Sequence, residues 1–317
     1  MNLLPHEKQI REVVNAIDLL KKQGGENPLF CAEIAKLEQK LELLRHQVYS
    51  NLTSWERIQI CRHPERPRSS DYIEQMFDEF IPLSGDRLYG DDQALLAGFA
   101  TLGEMRCLLM AQEKGKDTPS RIAHNFGMMS PEGYRKALRI MQLAAKFHLP
   151  VVSLVDTPGA HCCLEAEERG QGAAIAYNLR EMSLLSTPLI ALVIGEGCSG
   201  GALGIALADV VAMLEHSYYS VISPEGCASI LWKDPSKKEI AAEALKLHAE
   251  YLLEQGIIDQ LIKEPVGGAH SDPSAVYGAV RQFLLEQWSA LRNIPAELLV
   301  QQRYLKFRQM GATVSLS

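Results

Sequence analysis

A chain of 317 residues, 47% hydrophobic and 22% charged, is long enough for one large or two ordinary domains with a substantial core. Its formal net charge of −7 argues against a general nucleic-acid binder, because phosphate contacts need a basic surface. No apolar run approaches the ~18 residues of a membrane span, and the opening MNLLPHEKQIRE is too charged for a signal peptide, so the cytoplasm is the expected compartment.

Residues 1–50 read as two helices. Ile10, Val14 and Ile17 mark the first, QGGENP (Gln23 to Pro28) breaks it, and Ile34, Leu37, Leu41, Leu44 and Val48 form the packing stripe of the second. Residues 1–54 are therefore expected to be a helical hairpin or interaction arm, with residues 55–317 as the main domain. Trp55 to Arg68 (WERIQICRHPERPR) is basic and broken by prolines. It reads either as a solvated connector or as an anion contact, for instance to coenzyme phosphates.

From Asp71 onward strands and helices alternate. Arg106 to Ala111 and Val151 to Val155 are short apolar runs suited to buried strands. Between them, Ser130-Pro131-Glu132 supplies an N-cap, a first-turn proline and a first-turn acid. The helix it opens places Tyr134, Leu138, Met141 and Ala145 on one face and ends before Pro150. The strand VVSLVD runs into Thr157-Pro158-Gly159-Ala160. A helix with Ile175, Leu179, Met182 and Leu185 on a stripe follows, and Pro188 precedes the strand LIALVI. Two further strands are expected at Asp209 to Leu214 and Tyr219 to Ser223. From Ser274 the chain reads as an amphipathic helical tail with Phe283, Leu284 and Trp288 packing inward. Strand, loop, helix, strand, repeated, means an α/β fold with a largely parallel sheet.

The organising stretch is Leu189 to Gly204, LIALVIGEGCSGGALG. A strand ends in five glycines within ten positions, and an alanine-rich helix start follows. Such a bend brings bare backbone and first-turn N–H groups to one point, which suits negative charge. Four readings fit the letters. Gly195, Gly197 and Gly200 spell G-x-G-x-x-G, with Glu215 lying 20 residues beyond the first glycine, as a dinucleotide site asks, although the helix before the next strand is short. Gly197, Ser199 and Gly201 spell the nucleophile elbow G-x-S-x-G, for which His216, His248 and His270 are available partners without a convincing triad. The third reading is an oxyanion hole of backbone donors. The fourth is close helix-on-strand packing alone. Two glycine loops, Asp156 to Ala160 and Gly195 to Gly201, can lie side by side at the carboxyl ends of neighbouring strands, and two loops of backbone donors suit oxyanion chemistry best.

Seven cysteines (Cys31, Cys61, Cys107, Cys162, Cys163, Cys198, Cys227) form no C-x-x-C pair. The scatter indicates free thiols in a reducing compartment and no metal site.

HNFGM with SPEGYRKALR (His124 to Arg139), EERGQ (Glu167 to Gln171), GEGCSGGAL (Gly195 to Leu203), SVISPEGCASILWKD (Ser220 to Asp234) and EPVGGAH (Glu264 to His270) resemble the alpha subunit of bacterial acetyl-CoA carboxylase carboxyltransferase, in a chlamydia-like form. The resemblance implies a crotonase-type spiral of ββα units, with an N-terminal helical hairpin and a helical C-terminal tail. It implies transfer of a carboxyl group from carboxybiotin, borne on a biotin carboxyl carrier protein, to acetyl-CoA, giving malonyl-CoA for fatty-acid synthesis. Oxyanions are then held by backbone N–H groups. Gly200 and Gly201 would form the biotin-side hole and Gly159 and Ala160 the facing loop, with Gly197, Ser199, Ala202 and His161 lining the place where biotin binds. The implied partners are a zinc-containing beta subunit in a tetramer of two alpha and two beta chains, the carrier protein and a biotin carboxylase. ATP binding then belongs to the complex, and this chain, without metal of its own, is inactive alone.

One departure stands out. Where the family reads DTPGA, an aromatic and Pro-Gly before AEERGQ, this chain has His161-Cys162-Cys163, which removes a fixed φ and a permissive residue from a loop beside the site. His161 stands in for the aromatic or titrates near neutrality. The alternatives are a stand-alone crotonase-type CoA hydratase or isomerase, which would want acids such as Glu196 and Glu225 over the loops, or a loop-impaired, non-catalytic subunit.

Overall fold

The computed structural model describes residues 4–24 and 28–311. Its centre is a mixed sheet of β1 (Glu79–Pro82), β2 (Leu95–Leu102), β3 (Met105–Gln112), β4 (Val151–Thr157), β5 (Leu189–Cys198), β6 (Val210–Leu214), β7 (Tyr218–Ser220) and β8 (Gln260–Ile262). The order is β1-β2-β3-β4-β5-β6-β8, with β7 paired to β5 beyond β6. The first two pairings are antiparallel and the rest parallel.

Aliphatic residues alternate between the two faces of β4 and β5, so both faces must be covered. Val151, Val155, Ala191 and Val193 pack with Tyr134, Ala137, Met141 and Ile205 on one side. Val152, Leu154, Ile190, Leu192 and Ile194 pack with Tyr72, Met76, Phe283 and Leu284 on the other. The helix Pro131–Phe147 starts after Ser130 as predicted, although the Ser130 side chain makes no capping hydrogen bond, and it ends at His148, before Pro150. Its buried face is wider than the four-residue stripe and includes Ala137, Ile140 and Ala144. The helix Gln171–Leu184 carries Met182 inward, and Leu185 is buried just past its end.

The N-terminal helices Lys8–Gly24 and Pro28–Ser50 pack against each other through buried Ile10, Ile17 and Ile34 and carry an exposed Lys21–Glu38 ion pair of 2.9 Å. Residues 25–27 of the expected break lie outside the described residues. Two expectations are corrected. Tyr219 to Ser223 is not one strand: β7 stops at Ser220, and the Ser223 hydroxyl accepts from Gly226 N–H to cap the helix Pro224–Trp232. Trp55 to Arg68 is not a solvated connector, because His63, Arg66 and Arg68 are buried. Arg66 makes a two-pronged pair with Glu264 at 2.9 and 2.6 Å and donates to the Ile194 carbonyl at 2.9 Å. Glu264 accepts in turn from the N–H groups of His216 and Ala269, so the EPVGGAH segment is clamped to the sheet.

The tail helices Pro273–Leu291 and Ala296–Gln309 close the molecule. Arg303 is buried, and all five of its N–H groups are used: two on Asp209 at 2.8 Å and three on the carbonyls of Met182, Leu185 and Thr187. Arg303→Ala strands the Asp209 carboxylate and three carbonyls. It is expected to cost on the order of 3–5 kcal/mol, read as a lower urea midpoint at unchanged slope.

Burial, then the nearby Arg57 charge, pushes His248 down to about 4 from 6.5. Burial and the stacked His63, at 3.7 Å between ring centres, push His270 to about 4. Burial works against ionisation of Glu264, but the Arg66 charge and hydrogen bonds outweigh it and hold the carboxyl at about 2. The unfolded chain therefore binds protons that the fold refuses. Stability should fall as pH drops from 6.5 toward 4 through the histidines, then further below 4.5 through Glu264. His248 alone accounts for on the order of 3 kcal/mol of that fall. A thermal melt series is expected to show the decline, and His248→Gln to flatten its upper part; a melting temperature constant between pH 7 and 4.5 would contradict the assignment.

Candidate functional site

The site lies at the carboxyl ends of β4 and β5, where each strand turns into a loop. β5 is longer than LIALVI: it runs through Cys198, so Gly195 and Gly197 are strand residues and not the turn a dinucleotide fingerprint needs. Each has a packing reason to lack a side chain. A Cβ on Gly195 would lie 2.3 Å from Asp156 Oδ1, and one on Gly197 would lie 3.0 Å from the Tyr219 ring and from Val193. Glu215, the expected ribose ligand, instead binds Lys263 at 2.7 Å and the N–H of Glu264 at 3.0 Å.

The helix Ser199–Ala206 starts where β5 ends, with Cys198 as N-cap and no side-chain cap. Ser199, Gly200 and Gly201 are its first three residues, so their N–H groups have no carbonyl four residues back within the helix; Ala202 begins the ladder. Gly201 is buried against the other loop. A Cβ there would sit 2.4 Å from the Gly159 carbonyl carbon and 2.5 Å from Ala160 N. The two glycine loops expected to lie side by side are thus in backbone contact. Gly200 has more room: a Cβ there would come no closer than 3.6 Å to the Ile175 side chain. The Gly201 carbonyl accepts from Gln112 Nε2 at 2.8 Å and from the Tyr134 hydroxyl at 3.1 Å, and Gln112 Oε1 accepts from Asp156 N–H at 3.2 Å.

Within the facing loop, Gly159 takes φ +150°, and its N–H is already given to Thr157 Oγ1 at 3.2 Å. The Ala160 N–H, by contrast, donates to no acceptor among the described residues. His161 is half-buried and tied by its N–H to the Met129 carbonyl at 3.0 Å, with Nδ1 3.2 Å from Ser130 Oγ. That contact is where the Ser130 hydroxyl goes in place of capping its own helix.

Beneath the loops lies a polar cluster of which sequence reading offered Glu196, Glu225 and, within the basic stretch Trp55 to Arg68, Arg62 and Arg68, but neither Lys114 nor Asp156 as a cluster member. Lys114, at the end of β3, places Nζ 2.6 Å from Asp156 Oδ1 and 2.6 Å from Glu196 Oε1. Arg62 Nε and the Tyr218 hydroxyl donate to Glu196 Oε2 at 2.8 and 2.6 Å. Arg62 also holds Glu225 at 2.6 Å, and Arg68 reaches Asp156 at 3.3 Å. Burial disfavours the Glu196 charge, but Lys114, Arg62 and their hydrogen bonds overcome this and hold its carboxyl well below the usual range. It stays ionised and is unsuited to deliver a proton. The signal in the sequence was a strand ending in Gln-Glu-Lys: charges that close an apolar strand.

Ser199 keeps one mark of a nucleophile elbow, a left-handed φ of 56° on an exposed residue. Its hydroxyl makes no hydrogen bond to His216, His248 or His270, and the first two of these are buried at 6% and 2% exposure. An apolar cavity of 470 Å³ opens beside Ser199 and Gly200, walled by Leu203, Tyr219, Val221 and Phe307.

A model of the acetyl co-enzyme A carboxylase carboxyltransferase-like family matches residues 3–311. The acetyl-coenzyme A carboxylase carboxyl transferase subunit alpha of Protochlamydia amoebophila (strain UWE25) is 61% identical over 311 residues, covering 98% of each chain. That of Chlamydia pneumoniae is 59% identical over 312 residues, covering 98% of this chain and 96% of its own. Among solved structures, transcarboxylase 12S with methylmalonyl-coenzyme A bound aligns at a TM-score of 0.58 and 18% identity over 73% of this chain and 44% of that one. The beta subunit of Pseudomonas aeruginosa geranyl-CoA carboxylase aligns at 0.56 and 16% identity over 78% and 46%. The chain spans less than half of either, and at these identities the likeness concerns the fold, which is that of the crotonase-type carboxyltransferases. Family model and near full-length relatives agree: the chain belongs to the acetyl-CoA carboxylase carboxyltransferase alpha-subunit family.

Proposed function

We propose that this chain is the half of a carboxyltransferase that receives carboxybiotin, presented by a biotin carboxyl carrier protein, and passes its carboxyl group to acetyl-CoA, giving malonyl-CoA for fatty-acid synthesis. The observation that carries the reading is the backbone contact between Gly201 and Gly159–Ala160, a cradle that any side chain would fill. Around it stand peptide N–H groups and no competent side-chain nucleophile. Carboxybiotin supplies an activated carboxyl group. What this chain supplies is a fixed set of donors for the ureido oxygen, from Gly200 and Gly201 on one side and Ala160 on the other, preorganised so that charge developing there needs no solvent to rearrange. Ser199 and Ala202 flank those donors, Gly197 shapes the strand below them, and His161 stands at the rim of the facing loop.

The acetyl-CoA enolate is assigned to the beta subunit, which we take to carry the zinc. Two alpha and two beta chains, with the carrier and an ATP-dependent biotin carboxylase, make up the proposed cytoplasmic assembly. Against a stand-alone hydratase or isomerase stands the state of its candidate acids: both oxygens of Glu196 are committed to cations and a phenol, and Glu225 is paired with Arg62.

Malonyl-CoA formation is expected only when this chain is mixed with its beta partner and given carboxybiotinylated carrier and acetyl-CoA. Gly201→Ala drives a methyl into the facing backbone and should lower kcat by about 100-fold with the complex intact, whereas Gly200→Ala, which meets only Ile175 at 3.6 Å, should stay within a few-fold. Equal effects would remove the special place given to Gly201. Enoyl-CoA hydration by the lone chain would overturn the reading, and a stable complex without turnover would favour the loop-impaired subunit.

A further inference from the structure

The chemistry above makes no use of Cys162 and Cys163, two thiols side by side at the edge of the site. Cys162 is exposed and Cys163 half-buried. Four of the other five cysteines, Cys61, Cys107, Cys198 and Cys227, are buried. Burial pushes the Cys61 and Cys107 thiols up to about 12 and that of Cys198 up to about 11, so these stay protonated and inert. The fifth, Cys31, is exposed on the helix Pro28–Ser50 of the N-terminal hairpin.

Cys163 has the surroundings of a reactive thiol. Its sulfur accepts from Ala166 N–H at 3.4 Å and lies 3.7 Å from His161 Nδ1. The imidazole is held there by the His161 N–H on the Met129 carbonyl and by Ser130 Oγ, 3.2 Å from the same ring nitrogen. Charges of both signs face the thiol: Glu165 accepts its hydrogen bond, and Arg169 senses it from the end of the short helix Leu164–Glu168. A base beside one accessible sulfur, with a second sulfur next in the chain, is the donor set of a pair in which one thiol attacks and the other resolves.

We propose that Cys163 and Cys162 are a peroxide-reactive pair whose disulfide switches the facing loop. His161 Nδ1 takes the Cys163 proton, and the sulfur attacks one oxygen of hydrogen peroxide. An S–O bond forms, the O–O bond breaks, and the leaving hydroxide takes that proton and departs as water. Cys163 is then a sulfenic acid, oxidised by two electrons. The Cys162 sulfur attacks it; the S–S bond forms, the S–O bond breaks, and the Cys162 proton leaves with the oxygen as a second water. Neighbouring Cα atoms stand ~3.8 Å apart across a trans peptide, short of the ~4.4 Å at which ordinary disulfides begin. Cys163 is extended, at φ −137° and ψ 166°, and extended backbone sends successive side chains to opposite faces, so the ring closes only if the backbone turns. A proline would resist that turn, and Cys162 does not. A strained, exposed disulfide is also readily reduced, as a switch requires. The turn draws the sulfur away from Ala166 and begins two residues beyond Ala160, so it disturbs the seat against Gly201. That effect on carboxyl transfer rests on the reading above; the thiol chemistry does not.

The whole chain, treated with hydrogen peroxide, alkylated and peptide-mapped, is expected to lose two hydrogens and both alkylation sites from the peptide carrying Cys162 and Cys163, and a dithiol reductant should restore them. Cys162→Ser should stop the reaction at a Cys163 sulfenic acid that dimedone captures, and His161→Phe should slow ring closure by about 10-fold. Amide hydrogen exchange over residues 158–168 should quicken in the oxidised lone chain. In the alpha–beta complex, peroxide should lower malonyl-CoA formation roughly 10- to 100-fold, reversibly, and should spare a complex carrying Cys162→Ser with Cys163→Ser, which works at the parent rate. Oxidation of Cys31 ahead of the pair, an irreversible sulfinic acid in place of the ring, or a disulfide joining two copies of the chain would overturn the pair. A ring that leaves exchange and turnover unchanged would overturn the switch. A ring with quickened exchange in a complex that never turns over would support the switch and fault the carboxyltransferase reading instead.

Discussion

The arrangement depends on one buried ammonium. Lys114 Nζ, at the end of β3, sits 2.6 Å from a carboxylate at the end of β4 and 2.6 Å from another on β5. Asp156 is further bound to the N–H of Glu196 at 2.9 Å, and Gly195 leaves it the space to be there. Three strand ends are tied at one depth, so the loops that leave them start from fixed points. Such a cluster carries a desolvation cost that its attraction offsets only with good geometry, which the two 2.6 Å contacts of Lys114 supply. Its product is position: Gly201 and Ala160 meet with no room for a methyl between them.

That position decides which chemistry the site can host. Acid–base catalysis needs a carboxyl whose proton can leave and return near neutrality. Glu196, under these loops, is held ionised by the cations around it. Nucleophilic catalysis needs a base beside the hydroxyl, and Ser199 has the backbone of a nucleophile without the base. The proposed reading therefore rests on the backbone itself, positioned by Gln112 and Tyr134 on the Gly201 carbonyl.

Much of this was legible as pattern. The apolar runs that became β3, β4, β5 and β6 are buried on both faces, which makes them continuous and visible. The strands the pattern did not announce are β1, β2 and β8: β1 is mostly exposed, β8 has three residues, and β2 contains Gly98, where a Cβ would lie 2.0 Å from the Ile81 carbonyl. The glycine loops were identified as neighbours because parallel strands deliver their carboxyl ends to one edge. The cationic layer was not, because charge in a sequence reads as solvent exposure. Arg66, Arg68 and Lys114 are buried only because acids far along the chain, Glu264, Asp156 and Glu196, fold onto them. No local window contains such a pair.

The same reasoning bears on the His161-Cys162-Cys163 loop, where the family's pattern has an aromatic and Pro-Gly. Glycine is favoured where φ is positive, and neither cysteine has a positive φ here. Cys163 is extended, at φ −137°, and its sulfur accepts from Ala166 N–H at 3.4 Å, so the thiol caps the helix Leu164–Glu168. His161 is held from two sides, by Met129 and by Ser130. The following EERGQ segment is fixed by a two-pronged Arg169–Glu132 pair at 3.2 and 3.0 Å and by Gln171 on the Met129 carbonyl at 2.8 Å. Met129 thus anchors both ends of the loop. The loop takes its shape from these contacts more than from its own φ preferences, which is why Pro-Gly can be exchanged for two cysteines while Gly159 and Ala160 stay seated against Gly201. Those contacts favour a working subunit over an impaired one.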